Sequence, residues 1–262
     1  MLELCTLASG SSGNCMLVTD GETHLLVDAG ISARRICQEL NALDLTPDKL
    51  SGILITHEHS DHISGLTTLL RRFPVPVYAS GGTALQLTYR LAFINEVLHT
   101  FRPGESFSVG SVEVGTFATS HDAAESVGFT LSSGGRKAAV ATDLGYVTEA
   151  VLSAVTGAHL LVAETNHDEE WVRESRYPYS LKRRILGDQG HLSNGAGAEL
   201  VRRCVEAGTT TAVLAHLSSE NNTPQLAHET VCRTLTLAGI DPERDMLLEV
   251  APRNQRGRRY RV

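Results

Sequence analysis

Short apolar runs alternate with polar, glycine-rich breaks along the whole chain, and run by run the two-residue period of a strand can be told from the 3.6-residue period of a helix. Residues 2–8, 15–19 and 24–28 read as strands, parted by the turn Ser9-Gly10-Ser11-Ser12-Gly13-Asn14 and the hairpin signal Asp20-Gly21. A helix is predicted over 32–45, with Ile36, Leu40 and Leu43 at helical spacing, before Pro47 breaks the chain. A β-branched run over 51–56 reads as the next strand. A helix then follows His62 to about Phe73, with Leu66, Leu69 and Leu70 on one face. Strand 75–79, helix 82–92 and strand 97–101 come next, then four strands (105–109, 112–120, 126–131, 136–142) separated by glycine-rich turns. The remainder alternates helix 147–155, strand 159–164, helix 196–207, strand 210–214, helix 224–238 and strand 246–250. Residues 165–190 are polar, charged and aromatic, and read as a functional loop containing a helical segment. Strands then helices, twice over, with a dense β run between, predict an α/β (α+β) fold of two face-to-face sheets with helices outside. The expected arrangement is one four-layer domain over residues 1–262.

A composition 42% hydrophobic and 20% charged supports a sizeable core and argues against a disordered chain. No apolar run reaches the length of a membrane span, and the start lacks the pattern of a signal peptide, so a cytoplasmic location is expected. Five widely spaced cysteines with no Cys-x-x-Cys fit a reducing compartment and argue against a disulfide framework. The net charge of −7 does not suit a general nucleic-acid binder. Two basic stretches run against it, Arg253 to Arg261 at the end and Arg173 to Arg184 within the polar loop; each is compatible with a local phosphate-binding surface, although solvated charge is the commoner explanation for any one of them.

The chemistry concentrates in Ile55-Thr56-His57-Glu58-His59-Ser60-Asp61-His62. Three histidines and an aspartate within six positions, at the end of a buried strand, offer imidazole nitrogen and carboxylate oxygen at one rim of a sheet. His57 and His59, two apart in extended chain, face one way, and Asp61 and His62 reach a second point as the chain turns helical. Other predicted strands end in His121, Asp143 and His216. Any one of these alone would read as a capping or core-edge residue; together they supply the ligands that two metals need. The aromatics Trp171, Tyr177 and Tyr179, mixed with Arg173, Arg176 and Lys182 to Arg184, offer either stacking faces for single-stranded nucleic acid or anchors for their own loop.

The ordered set of His57, His59, Asp61, His62, His121, Asp143 and His216, with Leu25-Leu26-Val27-Asp28-Ala29-Gly30 before the first helix, resembles the metallo-β-lactamase fold across the chain. The resemblance implies a four-layer αββα sandwich and two divalent metal ions, zinc, manganese or iron. It places His57, His59 and His121 on one metal, Asp61, His62 and His216 on the other, and Asp143 between them. Glu164-Thr165 followed by Gly190-His191-Leu192-Ser193 resembles the glutamate and histidine motifs of tRNase Z-like phosphodiesterases, in which His191 would protonate the leaving oxygen and Glu164 would orient it. Leu7 to Cys15, Thr56 to His62, Glu164 to Asp168, Gly190 to Asn194 and Ala215 to Pro224 together are similar to the bacterial YycJ/WalJ (VicX) group. That group implies 5′-to-3′ DNA exonuclease activity and a role in DNA repair, with nucleic acid, DNA above all, as partner and no membrane. The interval 143–216 is too short for the β-CASP insertion of RNase J-like nucleases, and 121–143 too short for a tRNase Z arm.

The implied mechanism is attack on phosphorus by a hydroxide between the metals, with Asp61 orienting the nucleophile and His191 protonating the departing sugar oxygen. Ser9, Ser11, Ser12, Asn14, His167 and Asn194 are candidate substrate contacts. A small-molecule hydrolase of cyclic phosphodiesters, thioesters or lactones is the alternative within enzymes, and a non-enzymatic partner keeping the fold is the alternative outside them.

Overall fold

A computed structural model describes residues 1–262. Strands β1 (Glu3–Ala8), β2 (Cys15–Thr19), β3 (His24–Val27), β4 (Gly52–Leu54), β5 (Val77–Ser80) and β6 (Leu98–Phe101) lie in one sheet. Strands β7 (Ser106–Val109), β8 (Val112–Ala118), β9 (Val127–Ser133), β10 (Arg136–Ala141), β11 (Leu160–Glu164), β12 (Thr211–Ala215) and β13 (Leu247–Val250) form the other, and β14 (Arg259–Arg261) returns to pair with β1. Each sheet is antiparallel over one half and parallel over the other, the parallel runs being β3-β4-β5-β6 and β10-β11-β12-β13.

Both faces of the central strands are buried, and strand alternation sorts the side chains between layers. Leu25 and Val27 of β3, with Val162 of β11 and Val213 of β12, fill the space between the sheets. Their neighbours face outward: Leu26 packs under α1 (Ala33–Asn41), α3 (Leu66–Arg72) and α4 (Gly81–Arg90). Leu161 and Leu214 pack under α5 (Glu149–Val155), α8 (Asn194–Glu206) and α9 (Pro224–Leu237). The result is the expected αββα sandwich of the metallo-β-lactamase type. No helix is long and apolar enough to cross a membrane.

Three expectations change. The helix predicted after His62 is two pieces, α2 (Ser60–Ile63) and α3, broken at Gly65, where a Cβ would stand 2.0 Å from the Ile31 carbonyl oxygen. The first helix stops at Asn41, because Asp44 adopts a left-handed backbone with φ 60°. The arginine-rich end is no free phosphate surface: Arg259 and Arg261 pair with Glu3, Arg258 with Glu249 and Arg256 with Glu39, closing β14 onto β1.

Candidate metal centre

The strands that carry chemistry all end on one rim, where ligands collect in open α/β sheets. Asp28 follows β3, the segment 55–62 follows β4, His121 lies beyond β8, Asp143 follows β10, Glu164 closes β11 and His216 follows β12. Asp28, Asp143 and His216 have φ of 62°, 60° and 58°, the left-handed region that residues other than glycine seldom occupy. This sharp corner turns the chain out of the sheet at once and leaves the side chain on the rim. Gly30 lets the segments cross, since a Cβ there would come within 1.6 Å of the Asp61 carbonyl oxygen.

Four histidine rings are each held from behind through one nitrogen. His62 Nδ1 meets Asp28 Oδ2 at 2.7 Å, His216 Nδ1 meets Glu164 Oε1 at 2.9 Å and His121 Nδ1 meets the Gly190 carbonyl oxygen at 3.0 Å. His57 Nδ1 lies 3.0 Å from the Thr56 hydroxyl. Carboxylate and carbonyl oxygens only accept, so Nδ1 of His62, His216 and His121 carries a proton and Nε2 is the nitrogen left to meet a metal. The ligand atoms of His57, His59 and His121 lie within 4.8 Å of one another, as do those of Asp61, His62 and His216, and of His57, His62 and Asp143. His57 Nε2 and Asp143 Oδ2 are buried with no hydrogen-bond partner, a costly condition that a cation between them would relieve. Imidazole nitrogens with carboxylate oxygens suit a divalent metal of the zinc, manganese or iron type, so the residues present fit metal binding.

The charges point the same way. Burial opposes ionisation of Asp143, yet His216, His62 and His57 hold its carboxyl well below the usual carboxylate range. Burial also opposes charge on Asp61, which His216 and His62 nonetheless hold low. Burial disfavours a charged His216 ring, but Asp143, Asp61 and Glu164 push it up to about 10. His57 goes the other way, pushed down by burial and by His62. The carboxylates stay ionised and draw positive charge into the centre, as protons or as cations.

A fourth group, Asp143, Glu164, His191 and His216, also lies within ligating distance. Glu164 has no lone pair to spare for a metal. Its Oε1 accepts from His191 Nδ1 at 2.8 Å and from His216 Nδ1, and its Oε2 accepts from the backbone N–H of Leu144 at 2.9 Å and of Leu192 at 3.1 Å. Burial opposes its charge, and His191 and His216 overcome that and hold it at about 2. One carboxylate oxygen thus sets both the ring of His216 and the ring of His191, which faces the cavity above the centre.

The sequence profile described as beta-lactamase superfamily domain matches residues 23–217. The chain belongs to the beta-lactamase superfamily. It is 40% identical over 240 residues to exodeoxyribonuclease YycJ of Bacillus anthracis, covering 91% of each chain. It is 38% identical over 237 residues to exodeoxyribonuclease WalJ of Streptococcus pneumoniae, covering 89% of this chain and 88% of the relative. Among solved structures, the metallo-beta-lactamase fold protein YhfI from Bacillus subtilis superposes with a TM-score of 0.74 at 14% identity, covering 99% and 98% of the two chains. Within the superfamily the chain sits in the YycJ/WalJ group.

As in the sequence reading, His57, His59, Asp61, His62, His121, Asp143, Glu164, His191 and His216 come together at one rim, and the residues named as substrate contacts are dispersed. Only Ser11 of that set lines the cavity. Ser9 is buried and its hydroxyl accepts from the His216 backbone N–H at 2.9 Å. Asn14 is buried, its backbone N–H donating to the Asp61 carbonyl oxygen at 2.7 Å and its side chain closing the loop on Gly10. The loop 9–14 therefore braces Asp61 and His216 from behind. Ser12 is exposed outside the cavity. Asn194 is buried and exchanges amide hydrogen bonds with Asn222 at 3.0 and 2.8 Å. His167 is buried away from the centre, and its neighbour Asn166 lines the cavity instead.

Asp28 and Thr56 were given no role by sequence reasoning. Asp28 accepts from the Thr56 N–H at 2.9 Å and from its hydroxyl, ends β4 by doing so, and orients His62. Its place at the end of an apolar strand, before the turn at Ala29-Gly30, was the available signal. Burial raises Asp28 overall despite its contact with His62.

Proposed function

We propose that this protein is a divalent-metal-dependent phosphodiesterase acting as a DNA exonuclease, the activity named for YycJ and WalJ, with 5′-to-3′ polarity and a role in DNA repair. Two divalent metal ions would complete the site: His57, His59 and His121 would hold one, Asp61, His62 and His216 the other, and Asp143, whose carboxylate groups with His57 and His62 and with His216, would contribute an oxygen. When bound, they supply positive charge for a phosphate oxygen and an acidified water. Asp61, which lines the cavity, orients the nucleophile. Residues 1–262 act as one domain with neither a β-CASP insertion nor a tRNase Z arm, a reading supported by the compact run of α5, β11, the polar loop and α8 between Asp143 and His216.

The observation that carries the reading is the Glu164 oxygen shared by His191 and His216. His191 Nδ1 is committed to Glu164, so Nε2 is the atom that hands a proton to a departing oxygen. An alkoxide leaving group needs that proton. A thiolate needs it far less, which sets the thioester alternative behind; a lactone also expels an alkoxide, and the substrate panel below separates it from DNA.

The test uses metal-loaded protein with end-labelled single- and double-stranded DNA, RNA, thioesters and lactones. Release of mononucleotides from DNA is expected, and no release from any polymer sinks the nuclease reading. Replacing His191 by Ala is expected to slow DNA turnover by about 10² to 10⁴ with metal content unchanged. The loss should shrink on an aryl phosphodiester whose leaving group needs no proton. Loss of metal in this variant refutes the acid role.

A further inference from the structure

We propose that the substrate strand is gripped by α7 (Tyr179–Ile185), with Arg184 as a phosphate-positioning residue that trades an internal carboxylate partner for a backbone phosphate; the proposal rests on the phosphodiesterase reading above. The cavity over the metal centre has a volume of about 220 Å³. Its wall facing the ligands is made by Tyr177, Leu181, Arg184 and Ile185. Arg184 is the one Lys or Arg among the lining residues. Its guanidinium makes a two-pronged pair with Asp122, Nε to Oδ2 and Nη2 to Oδ1 at 3.0 Å. Asp122 Oδ1 in turn lies 3.5 Å from His121 Nε2, so the guanidinium stands two contacts from a ligand atom of the metal centre.

The grip is built to be exchanged. Arg184 is 49% exposed at its side chain, and α7 buries no residue at all. The helix carries Lys182, Arg183 and Arg184 with no acidic residue, on a chain whose net charge of −7 repels a polyanion elsewhere. Its end is locked to the chemistry: the His191 N–H donates to the Ile185 carbonyl oxygen at 3.1 Å, and a Cβ at Gly190 would stand 2.2 Å from that same oxygen. A planar guanidinium already presenting two N–H groups to a carboxylate matches phosphate in the same geometry. A strand with its scissile phosphate over the ligands sets a neighbouring phosphate at Arg184, and Tyr177 offers the adjoining base an aromatic face.

The test is steady-state hydrolysis of a single-stranded oligodeoxynucleotide by the metal-loaded protein across a salt series. Arg184→Gln is expected to raise KM about tenfold with a much smaller change in kcat, the pattern of lost binding rather than lost chemistry. It should also flatten the slope of log KM against log salt by about 0.7, one phosphate contact on a single strand. Arg184→Lys should restore the slope but only part of the KM, since an ammonium binds one-pronged. Asp122→Asn, which frees the guanidinium, should lower KM. An unchanged KM and salt slope in Arg184→Gln overturns the proposal, as does a fall in kcat with loss of metal, which would make the Arg184–Asp122 pair a strut for His121. A wild-type protein that turns over no oligodeoxynucleotide instead overturns the phosphodiesterase reading beneath it.

Discussion

The rim of strand ends and the polar stretch from Tyr177 through α7 face each other across one cavity and are built in opposite ways. On the rim, His57, His62, Asp143, Glu164 and His216 are buried, and each histidine ring is pinned by an oxygen behind it. Across the cavity, α7 buries nothing, Tyr179 is 77% exposed and the cations reach solvent. Groups that must meet a reacting atom within a fraction of an ångström are set in rigid, buried surroundings. Groups that must accept a flexible strand of any sequence sit on an element whose side chains remain free to adjust. Substitutions on the two sides should therefore fail differently.

The largest effect is expected from Glu164→Gln. A glutamine cannot offer acceptors to four donors, so its NH₂ must face an N–H of Leu144 or Leu192, or a protonated Nδ1. Activity should fall by about 10² to 10⁴ because His191 loses its setting, with about 1–3 kcal/mol of stability lost to the unmatched donor. Single-turnover rates and denaturant midpoints measure both; full activity would break the contrast between the two walls.

Asp28→Asn should come next. Either its amide faces the protonated His62 Nδ1, turning the ring to the tautomer that cannot ligate, or it faces the Thr56 N–H. Metal affinity is expected to fall about 10- to 100-fold, as read by competition with a chelator, while a saturating metal concentration restores turnover.

On the other wall, Tyr177→Ala should leave metal content intact. Binding of single-stranded DNA should weaken by about 1–3 kcal/mol, the worth of one stacked base, as read by fluorescence anisotropy. Metal loss in this variant would show that the two walls are one unit.

The smallest effect is one of pH. Burial holds His167 neutral in the folded protein, pushing it down to about 4 from its ordinary 6.5. The unfolded chain takes up this proton first as pH falls, so stability is fully present above 6.5 and drains away between 6.5 and about 4. Between pH 7 and pH 5 the Tm of the wild type should fall further than that of His167→Gln. Parallel curves would remove His167 as the cause.

The order of strands and helices up to β13, the four layers and the cluster of histidines and aspartates at strand ends were legible in the chain, while β14, three residues with a single apolar side chain, and the split of the polar loop into α6 (Glu169–Glu174) and α7 were not. Alternation of apolar side chains is a local property of each strand, and a run of His-x-His-x-Asp-His after an apolar strand is local too. Which oxygen stands behind which ring is not local. Asp28 meets His62 across 34 positions, Glu164 meets His216 across 52 and Arg184 meets Asp122 across 62. Nothing in composition or spacing separates the arginines at the end of the chain, which are spent on Glu3, Glu39 and Glu249, from Arg184, which faces the cavity. The sequence by itself singled out the groups that meet at the rim, because most of them sit at or just past the end of a strand, with His191 at the entry of α8. Only the packing of two sheets, which brings distant loops to one rim, decided which carboxylate orients which histidine and which cation is left for a substrate.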